Sequence, residues 1–244
     1  MSAQVAQFPE RLRRFVRKLK KIDDISSLIE IWNASGEAYL FGGAPRDVAF
    51  GLARRIHDLD IFVSGPLQTD LLMHHVDAIR RTKFGGYRFS VGRFDVDVWE
   101  LDKSYAFRFG NSSHISVNRL LESVCFSSDG IAVSLKSGRS LYTKNFVDTL
   151  EYRRLDFIVP PESVEPVVGA RIARLALKLD LALTPAVASY FVKCVEDFGV
   201  IELINAEARW GEHRMLNELS MEQVKSEIRE AIDQAFDKLR FGNN

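Results

Sequence analysis

The chain has 244 residues, enough for one large domain or two small ones. With 46% of its residues hydrophobic it can fill a sizeable core. Its 33 basic and 33 acidic side chains cancel, which excludes a protein that grips nucleic acid through overall positive charge and leaves room only for a local basic face.

In chain order, Phe15, Leu19, Ile22, Ile25 and Ile29 recur at turn spacing and predict one helix over 9–34. Arg11, Arg14, Lys18 and Lys21 fall at helical spacing on it and form the best electrostatic candidate for a polyanion, with a plain surface helix as the equal alternative. A short strand is expected at 38–41. Pro45 suits the first turn of a helix, where its missing N–H costs nothing; that helix should reach about Gly51. A second strand covers 59–63, and a helix over 67–81 carries Leu71, Leu72, Val76 and Ile79 on one side. Residues 87–91 and 94–101 are rich in β-branched and aromatic residues and are split by Gly92-Arg93, a hairpin signal. Residues 115–147 read as short strands and turns, punctuated by Asp129-Gly130 and Ser137-Gly138.

Pro160, Pro161 and Pro166 then mark a linker, and all that follows is helical in pattern. Ile172, Leu175, Ala176 and Leu179 form an apolar stripe, Thr184-Pro185 reads as a cap with a first-turn proline, and Ser220 with Gln223 resembles a capping box opening a last helix that buries Val224, Ile228, Ile232 and Leu239. The expected organisation is an α+β domain over 1–158 and a helical domain over 159–244. Two cysteines, Cys125 and Cys194, make no disulfide framework; they read as small buried hydrophobes in a reducing, cytoplasmic setting. No apolar segment of a signal peptide follows the basic N-terminus, and no apolar run approaches the ~20 residues that span a bilayer.

The chemistry concentrates at residues 39–63, YLFGGAPRDVAFGLARRIHDLDIFV. Side chains alternate across a strand, so Asp58 and Asp60 point to one face. Asp95 and Asp97 alternate with Val96 and Val98 in the same way. If the two strands are neighbours, three or four carboxylates converge. Unpaired clustered charge is costly, and oxygen donors at this density suit Mg²⁺. Two such ions can clamp an in-line phosphoryl or nucleotidyl transfer. Gly42-Gly43 lets backbone approach a bulky anion, the N–H groups that follow open a helix, Arg46 offers a fork of donors to phosphate oxygens, and Asp47 could orient Arg46 or a ribose hydroxyl.

These residues carry a resemblance. GGAPRDVAFG followed by HDLDIFV resembles the head-domain signature of the CCA-adding enzyme and bacterial poly(A) polymerase family, with its polymerase-beta-like nucleotidyltransferase palm. FGGYRFSVGRFDVDVWEL is similar to the family's next hairpin, where position matching favours Asp97 over Asp95, and ARIARLALKLDLALTPAVASYF resembles its neck helices. The resemblance implies a mixed sheet flanked by helices followed by an all-helical neck, and Mg²⁺-dependent transfer of a nucleoside monophosphate from an NTP, ATP or CTP, to a hydroxyl such as an RNA or tRNA 3′ end. It implies that Asp58 and Asp60 hold two metal ions, that Asp97 binds the ion activating the acceptor, and that Gly42, Gly43 and Arg46 hold the triphosphate, with Asp47 beside them at the nucleotide. In the neck, Arg171, Arg174 and Lys178 fall on one helix face. Arg171 matches the arginine with which the family reads the base, and Arg174 would join it at the nucleotide. Val167 and Val168 stand where the family has a Glu-Asp pair, and NRLLESVCFSSDGIAV stands in place of its Arg-Arg-Asp-Phe-Thr segment. The family's RNA-gripping body would begin about where this sequence stops, so a tRNA would be held by the remaining helices or by a second subunit in a homo-oligomer. No membrane partner is expected. Two alternatives stay open: nucleotidylation of a protein or small molecule, and a non-catalytic palm that binds NTP or RNA.

Four other features carry weaker signals. His57 could touch a phosphate. His74 and His75 diverge by about 100° on a helix and do not share a metal. Trp99 has the parity of Asp97 and so walls the site or stacks on a base, unless local twist turns it away. The charged and aromatic run at 207–214 is a candidate for RNA phosphate, with a solvated helix face as the plainer reading.

Overall fold

The computed structural model describes residues 2–53, 56–76, 78–82, 85–104, 107 and 115–208. Its contacts divide the chain into two compact units, one of Met1–Val124 with Ser128–Glu151, the other of Cys125–Ser127 with Tyr152–Asn244.

The first unit opens with α1 (Ala3–Leu19), capped by the Ser2 hydroxyl, which accepts from the Val5 N–H. The single helix expected over 9–34 is two. The backbone is extended at Ile22, and α2 (Asp23–Ser35) starts afresh with Asp23 and Asp24 in its first turn, where acidic groups complement the helix dipole. The break lets two apolar faces be buried separately. Phe8, Leu12, Phe15 and Leu19 lie on one, Ile25, Leu28, Ile29 and Trp32 on the other, and Ile22 is left exposed.

Strand β1 (Ala38–Phe41) leads into α3 (Gly43–Ala49) and β2 (Asp58–Val63). The helix expected over 67–81 shrinks to one turn, α4 (Thr69–Met73), with Leu71 exposed. Arg80–Arg81 instead forms β3, because pairing with β4 (Tyr87–Val91) overrides a weak helical pattern. The β4–β5 hairpin forms as expected around Gly92, at a φ of 56°, with β5 running Phe94–Glu100. Where short strands were expected after 115, α5 (Val117–Glu122) comes first, capped by Ser116. Then come β6 (Ile131–Ser134), β7 (Ser140–Tyr142) and α6 (Lys144–Tyr152).

The sheet has the order β3-β4-β5-β2-β1-β6-β7. It is mixed: β2 and β5 run parallel and every other neighbouring pair is antiparallel. One face, with Leu40, Leu59, Ile61, Val96, Val98 and Val133, packs with α1–α3 into the main core. Each large side chain fully buried there contributes about 1.5–3 kcal/mol. The other face has a smaller core in which Phe62 and Ala132 meet Val117, Leu120 and Leu121 of α5.

Among its described residues the second unit is mainly helical, with a two-residue parallel pair, β8 (Arg154–Leu155) with β9 (Ala182–Leu183), and an isolated antiparallel bridge between Phe126 and Phe157. Its α7 (Pro166–Leu179) buries Ile172, Leu175 and Leu179, as the apolar stripe predicts. It packs on α8 (Pro185–Ala208), two helical stretches joined at Gly199. Gly169 makes that approach close: a methyl there would stand 2.9 Å from Cys194 Cβ. Pro185 opens α8, but the Thr184 hydroxyl donates to Asp156 Oδ1 at 2.9 Å instead of capping. The capping box at Ser220 and Gln223 and the helix after it lie outside the described residues, as does all but the start of the 207–214 run.

Candidate active site

Register decides where the acids go. In the parallel pair, Asp58 lies opposite Asp95 and Asp60 opposite Asp97. Opposed residues on neighbouring strands share a face, so all four carboxylates stand on the side of the sheet away from the main core. The face continues as Phe62 and Trp99, stacked at 5.5 Å, and as Phe41 of β1, edge-on to Phe62. Trp99 thus stays on the acid face, as its parity requires, and packs on a protein aromatic. Asp58 and Asp95 at the strand starts are exposed, Asp60 is half-buried and Asp97 is 8% exposed.

A residue that sequence reasoning passed over faces them. Arg88 of β4 is the register partner of Asp97. Its Nε donates to Asp97 Oδ1 at 2.6 Å, and its Nη2 bonds Oδ2. This two-pronged bond, and the fields of Asp60 and Asp58 behind it, hold the guanidinium above its ordinary pKa. The signal was present: counting back from the two-residue turn at Gly92-Arg93 pairs Ser90 with Asp95 and Arg88 with Asp97. Ser90 in turn donates to Asp95 Oδ1 at 2.6 Å.

The glycine turn meets the same acids. Gly42 has a φ of 70° and a ψ of −129°, a conformation suited to glycine alone. A methyl there would stand 3.1 Å from Asp60 Oδ2, so the main chain of the turn runs against that carboxylate. Gly43 is the first residue of α3. Arg46 departs from expectation. Its fork is turned inward: Nε donates to Asp47 Oδ1 at 2.9 Å and Nη1 to Asp129 Oδ1 at 2.7 Å, with Arg46 itself 8% exposed. Burial alone would lower its pKa; Asp129 and Asp47 outweigh that and raise it. In this arrangement Arg46 ties α3 to the start of β6, and Asp47 orients it, as one of the two sequence readings of Asp47 had it. Asp129, 2% exposed, is the second residue missed; Asp129-Gly130 reads locally as no more than a turn.

Arg171 and Arg174 lie one turn apart on α7, in the second unit. Arg171 is exposed, with its guanidinium 5.5 Å from the centre of the Phe126 ring, and Phe126 stacks on Phe157. Arg174, Val167 and Val168 are half-buried. His57, His74 and His75 are exposed. The His75 ring nitrogen Nδ1 is 3.2 Å from the Leu71 carbonyl.

The donor set has the chemistry of a hard divalent cation site: carboxylate oxygens at adjacent register positions. Among the described residues no three acidic, histidine or cysteine side chains stand close enough to hold a cation as placed. Asp97, turned onto Arg88, is the side chain that would have to turn.

No protein-family profile and no curated protein matches this sequence. Solved structures do. A CCA-adding enzyme in complex with CTP aligns over 89% of this chain and 54% of its own at 14% identity, with a TM-score of 0.63. A tRNA-processing enzyme with CTP aligns over 79% and 54% at 22% identity and a TM-score of 0.55. The Thermotoga maritima CCA-adding enzyme complexed with tRNA aligns over 80% and 46% at 15% identity and a TM-score of 0.59. The chain therefore shares the head-and-neck fold of these CCA-adding and tRNA-processing enzymes, a mixed sheet flanked by helices followed by a helical unit. It spans about half the length of the CCA-adding enzyme it matches with CTP. Among the described residues no helix is long and apolar enough to cross a membrane.

Proposed function

We propose that this chain is a nucleotidyltransferase that moves a nucleoside monophosphate from an NTP to a hydroxyl, that of an RNA 3′ end, in the cytoplasm. The observation that carries the reading is the register of β2 on β5, which sets Asp58, Asp60 and Asp97 on one face with the Gly42 turn against Asp60. The solved structures with CTP, with tRNA, and with a primer tRNA and an incoming ATP analogue support an NTP and an RNA as its partners.

In this reading residues 1–158 act as the head and 159–244 as the neck. Asp58, Asp60 and Asp97 hold Mg²⁺, which when bound supplies activation of the acceptor hydroxyl and stabilisation of the pyrophosphate leaving group. The Gly42-Gly43 backbone receives the triphosphate, since no side chain there obstructs it. Arg46 and Asp47 hold that turn in shape from beneath. Arg171, fixed over Phe126, and Arg174 present donors to the base.

Incubation with Mg²⁺, each labelled NTP and total RNA tests the reading. Label in RNA with release of pyrophosphate supports it, label in protein or a small molecule moves the acceptor, and no transfer with any NTP refutes it. One observation favours a binding-only palm: Arg88 already neutralises one of the three carboxylates. Tight NTP binding without turnover would select that.

A further inference from the structure

We propose that Arg88 is a resident counter-cation of the acidic face. It pairs with Asp97 while no divalent ion is bound and competes with that ion for the same carboxylate, so it sets the metal affinity of the site. This rests on the reading of Asp58, Asp60 and Asp97 as cation ligands.

Asp97 cannot be left bare. Its side chain is 11% exposed, and a buried carboxylate without a partner is strongly destabilising. The hairpin places a cation directly across from it, and both Asp97 oxygens accept from Arg88. That fork uses a lone pair of each oxygen, and its charge repels a second cation at contact distance. The two partners differ in what release costs them. The Arg88 side chain is 52% exposed, so it can swing into water while Asp97 stays and turns toward Asp60. Asp58 and Asp60 also attract the guanidinium, and an arriving divalent ion takes over that role for all three acids. The exchange is one cation for another, with Asp97 paired before and after.

Mn²⁺ titration followed by electron paramagnetic resonance tests this on the full chain. Arg88→Gln should bind Mn²⁺ roughly fivefold or more tightly than the parent, or take up an additional ion. Arg88→Lys, which keeps the charge but not the fork, should fall between. With Asp97→Asn already in place, adding Arg88→Gln should no longer change Mn²⁺ affinity. In chelator, Arg88→Gln should melt below the parent and gain more from Mn²⁺ than the parent does; if it does not fold without metal, Arg88→Lys carries the comparison. Equal Mn²⁺ affinity in parent, Arg88→Gln and Arg88→Lys overturns the competition and leaves the cation site standing. No Mn²⁺ bound by any of them overturns both.

Discussion

Gly42 and the carboxylate of Asp60 leave no room for a side chain between them: a Cβ at position 42 would stand 3.1 Å from Oδ2. Two constraints therefore meet in one residue, the φ of 70° and the lack of room. Gly42→Ala is expected to cost on the order of 1–3 kcal/mol in stability, measured as a lower urea midpoint. It should also push Asp60 aside, so nucleotide affinity should fall further than stability alone explains.

Asp58→Asn and Asp60→Asn should each lower the rate of label transfer by at least about a hundredfold. Asp95→Asn should keep most of it. Asp95 is exposed and already bonded to Ser90 within its own hairpin. A rate for Asp58→Asn or Asp60→Asn within tenfold of the parent would remove those residues from the site.

Arg46, Asp47 and Asp129 form a buried ionic triad, and breaking such a group by deleting one member strands the others. Asp129→Ala should cost about 3–5 kcal/mol. Urea unfolding followed by tryptophan fluorescence in a Trp210→Phe background reads this in the first unit, which then holds both remaining tryptophans, Trp32 and Trp99. Combining it with Arg46→Met should restore part of the loss, because the stranded cation is then gone.

Two phenols make an alkaline limb. Burial, and then the bond Tyr39 donates to Glu37, push Tyr39 up to about 12; burial pushes Tyr190 up to about 12 as well. An unfolded tyrosine ionises near about 10. Between those values the unfolded chain sheds protons that the folded chain keeps, so stability present below the unfolded value is lost as pH rises toward about 12. Denaturation curves from pH 9 upward should show this fall, and Tyr39→Phe with Tyr190→Phe should make it shallower. Glu37 acts in the opposite sense. The Ser134 hydroxyl, and then that of Tyr39, hold it below the usual carboxylate range. Its contribution is present at neutral pH and is lost as pH falls through its folded value.

The parts of this structure that depend on short-range pattern could be read from the sequence. Alternation placed Asp58 with Asp60 and Asp95 with Asp97, and the Gly92 turn placed the hairpin. Arg88 was equally legible, since it needed only a count of register from that turn. Other features were not legible because their causes are distant. Asp129 is 83 residues from Arg46 in sequence, and nothing local says that the arginine turns inward. The helices at 9–34 and 67–81 carry apolar spacing that fits a continuous helix. Only the need to bury two faces separately breaks the first, and only the pairing of Arg80–Arg81 with β4 breaks the second.

The direct parallel pairing of β2 with β5 has a consequence for how this site tolerates insertions and deletions. Because backbone hydrogen bonds lock Asp60 beside Asp97, residues 64–86 between the strands can lengthen or shorten without moving one acid relative to the other. A single residue gained or lost inside β5 is another matter. It would exchange Asp97 for a valine on that face, since a one-residue slip sends every side chain to the opposite side. Length variation among relatives should accordingly gather in that connection and be missing from the stretch between Phe94 and Val98.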